Sequence, residues 1–161
     1  MPKDFLIRDA VADDAGVIAQ FNLNLAAETE DKRLDPVVLR RGVERVLADA
    51  TKGRYFVADA AGDVVGCAMV TYEWSDWRDA DLWWFQSVYV RSDWRRRGVF
   101  RALHAHIRAA GLAAGVWGLR LYVEQENHAA QRTYEALGMR DARYRVMEEM
   151  NLGRPGAQAG D

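Results

Sequence analysis

Residues 88–104 read VYVRSDWRRRGVFRALH: a short β-rich run, a basic turn ending in Gly98, then a helical pattern. That order builds an anion site. A helix that begins straight after a turn presents unpaired backbone N–H groups and the positive end of its dipole, where a phosphate settles without further help. Gly98 lets the backbone come close to a ligand. Arg95, Arg96, Arg97 and Arg101 surround those N–H groups with positive charge, and a guanidinium can hold phosphate oxygens in pairs. The stretch points to a phosphate-bearing cofactor, against the plainer reading of a solvated basic turn at a helix start. Other nucleotide loops fit worse: the chain has no Gly-x-x-x-x-Gly-Lys-Ser/Thr, and no Gly-x-Gly-x-x-Gly follows a strand.

Downstream, residues 119–139 read LRLYVEQENHAAQRTYEALGM. Apolar alternation at Leu119, Leu121 and Val123 predicts a strand, and the stripe Ala130, Tyr134, Leu137 predicts a helix after it. Asn127 suits its N-cap and Gly138 its C-cap. Upstream, Phe5 to Arg8 reads as a first strand. A helix capped by Asp13 runs through about Ala27 with Val17, Ile18, Phe21 and Leu25 on one face. A second runs from about Asp35 to Leu47 with Pro36 at its first position. The acidic connector AETEDKRLD joins them. Tyr55–Asp59 and Val64–Tyr72 read as a hairpin around Gly62-Asp63, and Leu82–Val90 as the next strand. A long helix from about Gly98 to Ala114 and a last strand at Tyr144–Met150 complete an α/β order without repeats. The Gly-, Pro- and Ala-rich tail, residues 153–161, is expected to be disordered, leaving one domain over residues 1–152.

The spacing from Arg95 through two residues to Gly98, then a helix, resembles the coenzyme A pyrophosphate loop of the GNAT family of N-acetyltransferases. The set Val123, Asn127, Ala130, Tyr134, Gly138 and Met139 is similar to the later part of the same fold, and the two patterns fall in the right order. The resemblance covers residues 5–150. It implies a GNAT-type α/β sandwich with a central mixed, mostly antiparallel sheet flanked by helices. It also implies that acetyl-CoA is the co-substrate, held along Val88, Tyr89, Val90, Arg95, Arg96, Arg97, Gly98, Val99, Phe100, Arg101, Asn127 and Ala130. Phe100 departs from the family, which usually has Gly or Ala there, so a wider or tilted loop is expected. Tyr134 then stands as the general acid for the leaving thiolate, because a phenol near pKa 10 matches a thiol near 8.5. Its alternative is an aromatic on the helix's core face.

Residues 72–87, YEWSDWRDADLWWFQS, concentrate four tryptophans with Glu73, Asp76, Asp79 and Asp81. Indole faces and carboxylates together favour a cation. With Glu28, Glu30 and Asp31 of the connector, this stretch resembles the diamine and polyamine acetyltransferases of the family. That makes Glu28, Glu73, Asp76, Trp77 and Trp84 candidate substrate contacts; the alternative is core indoles beside a solvated acidic turn. One position breaks the likeness. Where that subgroup carries a Glu base followed by Asp, this chain has Gln86-Ser87, and glutamine takes no proton. Gln86 would instead hold a water, with Glu73, Asp76 or Glu124 assisting. His104 and His106 read as packing or surface residues and make no zinc-helix pattern, so no metal is expected.

Composition narrows the classes. The 161-residue chain carries a net charge of −2 and is 50% hydrophobic, with no run of the roughly 20 apolar residues that spans a bilayer. The start Met-Pro-Lys-Asp lacks a signal peptide's apolar stretch, and Cys67 is the one cysteine, so a cytoplasmic protein without membrane partners is expected. Cys67 reads as a buried, inert thiol. The expected function is acetyl transfer to a small-molecule amine: a diamine, a polyamine or an amino-acid-like compound. A non-catalytic acyl-CoA-binding module and a protein N-acetyltransferase stand as alternatives. The acidic balance speaks against a nucleic-acid partner. Neither the acceptor nor a homodimer is decided by the sequence.

Overall fold

Alternating apolar residues on the central strands give the sheet two faces to bury, and helices cover both. The computed structural model describes residues 4–153 and residue 155, and the chain divides into two units at Tyr122/Val123. The first unit holds five strands: β1 (Leu6–Asp9), β2 (Arg54–Ala60), β3 (Asp63–Ser75), β4 (Ala80–Val90) and β5 (Gly118–Leu121). They lie in sequence order, antiparallel from β1 to β4, with β5 parallel to β4. Helices α1 (Ala15–Glu30) and α2 (Pro36–Ala48) follow β1, and α3 (Val99–Ala113) is the crossover from β4 to β5. The α/β fold class expected from the sequence is the one observed.

Tyr55, Val57, Cys67 and Tyr89 pack with Ile18, Phe21 and Val43 from α1 and α2. Their neighbours Phe56, Ala58, Ala68, Val70 and Phe85 pack with Val99, Leu103 and Ile107 from α3. Each large side chain fully buried in this way, Phe56, Leu103 and Ile107 among them, contributes about 1.5–3 kcal/mol. Gly66 seats α3 on the sheet: a Cβ there would lie 3.0 Å from the Tyr89 carbonyl and 3.1 Å from Val99 Cγ1. Cys67 is buried and its thiol is pushed up to about 12 by that burial.

Three expectations change. Asp13 does not cap α1. A short 3₁₀ turn, Ala12–Asp14, precedes the helix, and buried Asp14 accepts the Val11 N–H at 2.7 Å and the Arg8 guanidinium at 2.8 Å. Those partners draw the polar anchor one residue on. The β3–β4 hairpin is longer than predicted because cross-strand pairs continue through Trp74/Asp81 to Ser75/Ala80. In the second unit, Tyr144–Met150 forms no strand. Its alternation is strand-like, but a strand exists only where a neighbour pairs its backbone, and Tyr144 and Met147 are exposed.

The second unit contains α4 (His128–Ala136). Asn127 Oδ1 accepts the Ala130 N–H at 3.1 Å, and Gly138, at φ +90°, turns the chain out of the helix. Apart from Gly153 and Pro155, the tail expected to be disordered lies outside the described residues.

Candidate active site

A bulge in β4 opens the sheet. Gln86 pairs with Met69 and Tyr89 with Cys67, so Ser87 and Val88 together face Ala68, and Ser87 takes a left-handed φ of +46°. Pairing with β5 ends at Phe85/Leu121. Val88, Tyr89 and Val90 run on without a β5 partner and, with Leu25, Glu28, Thr29 and Arg95, line a cavity of about 490 Å³. A bulged strand released from its neighbour offers free backbone groups to an extended ligand. Here the Val90 carbonyl accepts Arg95 Nε at 3.0 Å.

The basic turn follows directly. Gly98 is the N-cap of α3 at φ +78°, and no side chain caps the helix. The first intrahelical bond runs from the Ala102 N–H to the Gly98 carbonyl at 3.0 Å, so the amides of Val99, Phe100 and Arg101 precede it. A Cβ on Gly98 would meet nothing within 4 Å, so the space beside Gly98 is open. Among the described residues Arg96, Arg97 and Arg101 have no carboxylate partner; Arg97 lies 4.8 Å over the Trp94 ring. Phe100 packs edge-on against Phe85 at 6.5 Å. Backbone amides at a helix start beside guanidiniums that make no salt bridge suit a pyrophosphate.

Arg95 differs from its neighbours. Its Nη2 donates to Glu28 Oε2 at 2.7 Å, its guanidinium lies 5.5 Å from the Tyr89 ring, and the Tyr89 hydroxyl donates to Glu28 Oε1 at 2.9 Å. The Arg95 hydrogen bond, joined by Tyr89, holds the Glu28 carboxyl below its usual range. An expected phosphate contact and an expected amine contact thus meet each other.

Beyond the bulge, the sheet face on the α1 side carries Gln86, Trp84, Thr71 and Glu73. Gln86 Nε2 donates to Thr71 Oγ1 at 3.4 Å. Arg120 on β5, which the sequence reading missed, joins them: it sits opposite Trp84, with its guanidinium 5.8 Å from that ring and Nη1 donating to Glu73 at 2.7 Å. Tyr122 stacks on Trp84 at 4.6 Å. The signal was available in period 2, since Arg120 lies between Leu119 and Leu121, which pack with the α3 core.

Asp76 and Trp77 are not brought to this place. They occupy the hairpin tip beyond Ser75/Ala80, where Asp76 Oδ1 accepts the Trp77 N–H and Trp77 is 89% exposed. From Ala80 to Gln86 the strand rises about 20 Å. His104 is buried and stacked on Phe85 at 5.9 Å, and burial lowers its pKa.

In the second unit, Tyr134 is half-buried on α4, and burial pushes its phenol above the ordinary value of 10.0. Gln131 Nε2 ties back the Glu124 and Gln125 carbonyls at 2.9 Å each.

Residues 22–139 match the family model described as acetyltransferase (GNAT) family. The chain is similar to the crystal structure of a possible acetyltransferase from Clostridium difficile 630, with 46% identity, TM-score 0.85 and coverage of 90% of this chain and 96% of that one. The fold is shared with a ribosomal-protein-alanine N-acetyltransferase from Brucella melitensis biovar Abortus 2308, at 16% identity and TM-score 0.74, covering 90% and 98%. A transcriptional regulator from Bacillus halodurans C-125 also shares it, at 19% identity and TM-score 0.78, covering 90% and 99%. A search of curated proteins found no match. With a bulged β4, an uncapped arginine-flanked α3 and a family match over most of its length, the chain belongs to the acetyltransferase (GNAT) family and so to the acetyl-CoA-dependent N-acetyltransferases.

Proposed function

We propose that this protein transfers the acetyl group of acetyl-CoA to a primary amine of a small molecule. The observation that carries the reading is the continuity of two features in the first unit: β4 loses its β5 partner after Phe85, and a few residues on the chain enters the start of α3, which no side chain caps. An extended, phosphate-ended ligand needs that sequence of surfaces. Arg96, Arg97 and Arg101, with the amide of Val99, would hold the pyrophosphate, and the backbone of Val88, Tyr89 and Val90 the arm. Bound acetyl-CoA would supply a thioester carbonyl as electrophile. The residues' task is to present a neutral amine to it, so that an N–C bond forms as the C–S bond breaks.

Gln86 cannot take the amine's proton. Its amide orients the amine or a water, and the proton leaves to solvent. Tyr134 supplies the proton for the departing sulfur; the assignment rests on the family pattern, and a phenol held above 10 stays protonated at working pH. Asn127 and Ala130 are assigned to the cofactor arm on the same ground.

A second reading is favoured by the same Gln86: a module that binds acyl-CoA without turnover. Free-thiol release from acetyl-CoA, followed across a panel of small amines and a peptide with a free N-terminus, separates them. Turnover of a small amine supports the proposal; calorimetric binding of acetyl-CoA with no release on any amine supports the module, and release on the peptide alone a protein acceptor.

A further inference from the structure

The carboxylates that would meet a cationic amine on the open sheet face are already matched. Glu73 is taken by Arg120 at 2.7 Å, and Glu28 by Arg95 at 2.7 Å and Tyr89 at 2.9 Å. The indole face is taken as well, since Arg120 lies 5.8 Å from the Trp84 ring. A second cation brought to Trp84 would have to compete with that guanidinium for the ring. Arg120, by contrast, has donors to spare. A guanidinium carries five N–H groups, and among the described residues Glu73 is its one hydrogen-bond partner. Its side chain is 30% exposed, enough for a ligand to reach it.

We propose that the acceptor is an amine that also carries a carboxylate, and that Arg120 receives this carboxylate beside Trp84 while the amine lies toward Gln86. Trp84 and Gln86 stand on one face, two residues or about 7 Å apart along β4, a span a short amino acid can bridge. Arg120 would hold the carboxylate through a charge-assisted, two-pronged contact, and Glu73 would keep the guanidinium flat against the indole. The polyamine-like composition of residues 72–87 thus has a different use: its central carboxylate and indole position an arginine. The inference rests on the acetyl-transfer reading for its chemistry, while its recognition step stands apart from turnover.

The test compares matched acceptors: 4-aminobutyrate with 4-aminobutanamide and 1,4-diaminobutane, and glycine with glycinamide, each by thiol release and by calorimetry on the protein saturated with coenzyme A. At least one amino acid is expected to exceed its amide by about tenfold to a hundredfold in kcat/KM, with the difference in KM. Arg120→Gln should erase that preference by bringing the amino acid down toward its amide, whereas Glu73→Gln, which frees Arg120, should keep or raise it. A merely structural ion pair would instead lower all acceptors alike in both variants. Equal or better use of the amides and the diamine by the wild type overturns the proposal, as does a preference that survives in folded Arg120→Gln. If carboxylate-bearing amines bind in an Arg120-dependent way but none is acetylated, the acetyl-transfer reading fails and the recognition stands. If neither amino acid binds, the recognition fails.

Discussion

Two groups of arginines flank the bulge of β4, and they differ in what they touch. At the start of α3, Arg96, Arg97 and Arg101 crowd positive charge at a helix start that no side chain caps; among the described residues none of them makes a salt bridge, and Asp93 offsets Arg97 through space. On the sheet face and in the β4 cavity, Arg120 and Arg95 are each joined to a glutamate at 2.7 Å. Crowded like charge works against folding, so a cluster without salt bridges belongs where a ligand supplies the opposite sign. A matched pair is close to neutral as a field and selects by shape and hydrogen bonds instead. On the proposed function, the first region captures an anion and the second discriminates.

Several substitutions would break or sharpen that contrast. The largest effect is expected at the chemistry: Tyr134→Phe keeps the ring and removes the hydroxyl, so kcat should fall by about 10²–10⁴ with acetyl-CoA affinity little changed. Steady-state kinetics beside calorimetry checks both halves, and near-full turnover with chemistry rate-limiting returns Tyr134 to a packing role. In the group without salt bridges, Arg97→Ala removes one charge-assisted contact of about 1.5–3 kcal/mol, so acetyl-CoA should bind about tenfold to a hundredfold more weakly, a deficit that narrows at high salt. Unchanged affinity would make the turn a solvated surface.

The pH profile comes next in size. No carboxylate base stands at Gln86, so kcat/KM for an amine should rise about tenfold per pH unit below the amine's own pKa. The half-buried Tyr134 phenol is raised above 10, so its proton is present throughout that range and is lost only above it. The alkaline fall in kcat therefore belongs above pH 10, and a fall near neutrality would point to another acid. The smallest effect is expected at the hairpin tip: Asp76→Asn with Trp77→Ala should leave amine KM within about twofold, because the tip lies about 20 Å along β4 from Gln86. A tenfold rise would bring the tip into the acceptor site.

The strand, basic turn and helix of residues 88–104 were legible because they are contiguous, and local structure alone assembles them. The core was legible for the same reason, through period 2 and period 3.6. Sequence could not show how Glu28 and Arg95 meet across 67 positions, or Glu73 and Arg120 across 47, because those pairings depend on sheet order and register. The bulge at Ser87 was invisible too, since its residue is not a glycine. Asp76 and Trp77 misled through composition: they sit near Glu73 in sequence, but the hairpin carries them outward.

The central claim is that α3's uncapped start holds the phosphates of acetyl-CoA. It is tested most directly by calorimetric titration of acetyl-CoA and of S-acetylpantetheine, which lacks the pyrophosphate, into the wild type and into Gly98→Asp. The substitution places a carboxylate at the start of α3 and strains a backbone held at φ +78°, so its folding is confirmed by thermal melting. The account predicts that the wild type binds acetyl-CoA at least about a hundredfold more tightly than S-acetylpantetheine, two such charged contacts' worth, and that Gly98→Asp removes this advantage. Equal binding of the two ligands by the wild type, or an advantage that persists in folded Gly98→Asp, would contradict it.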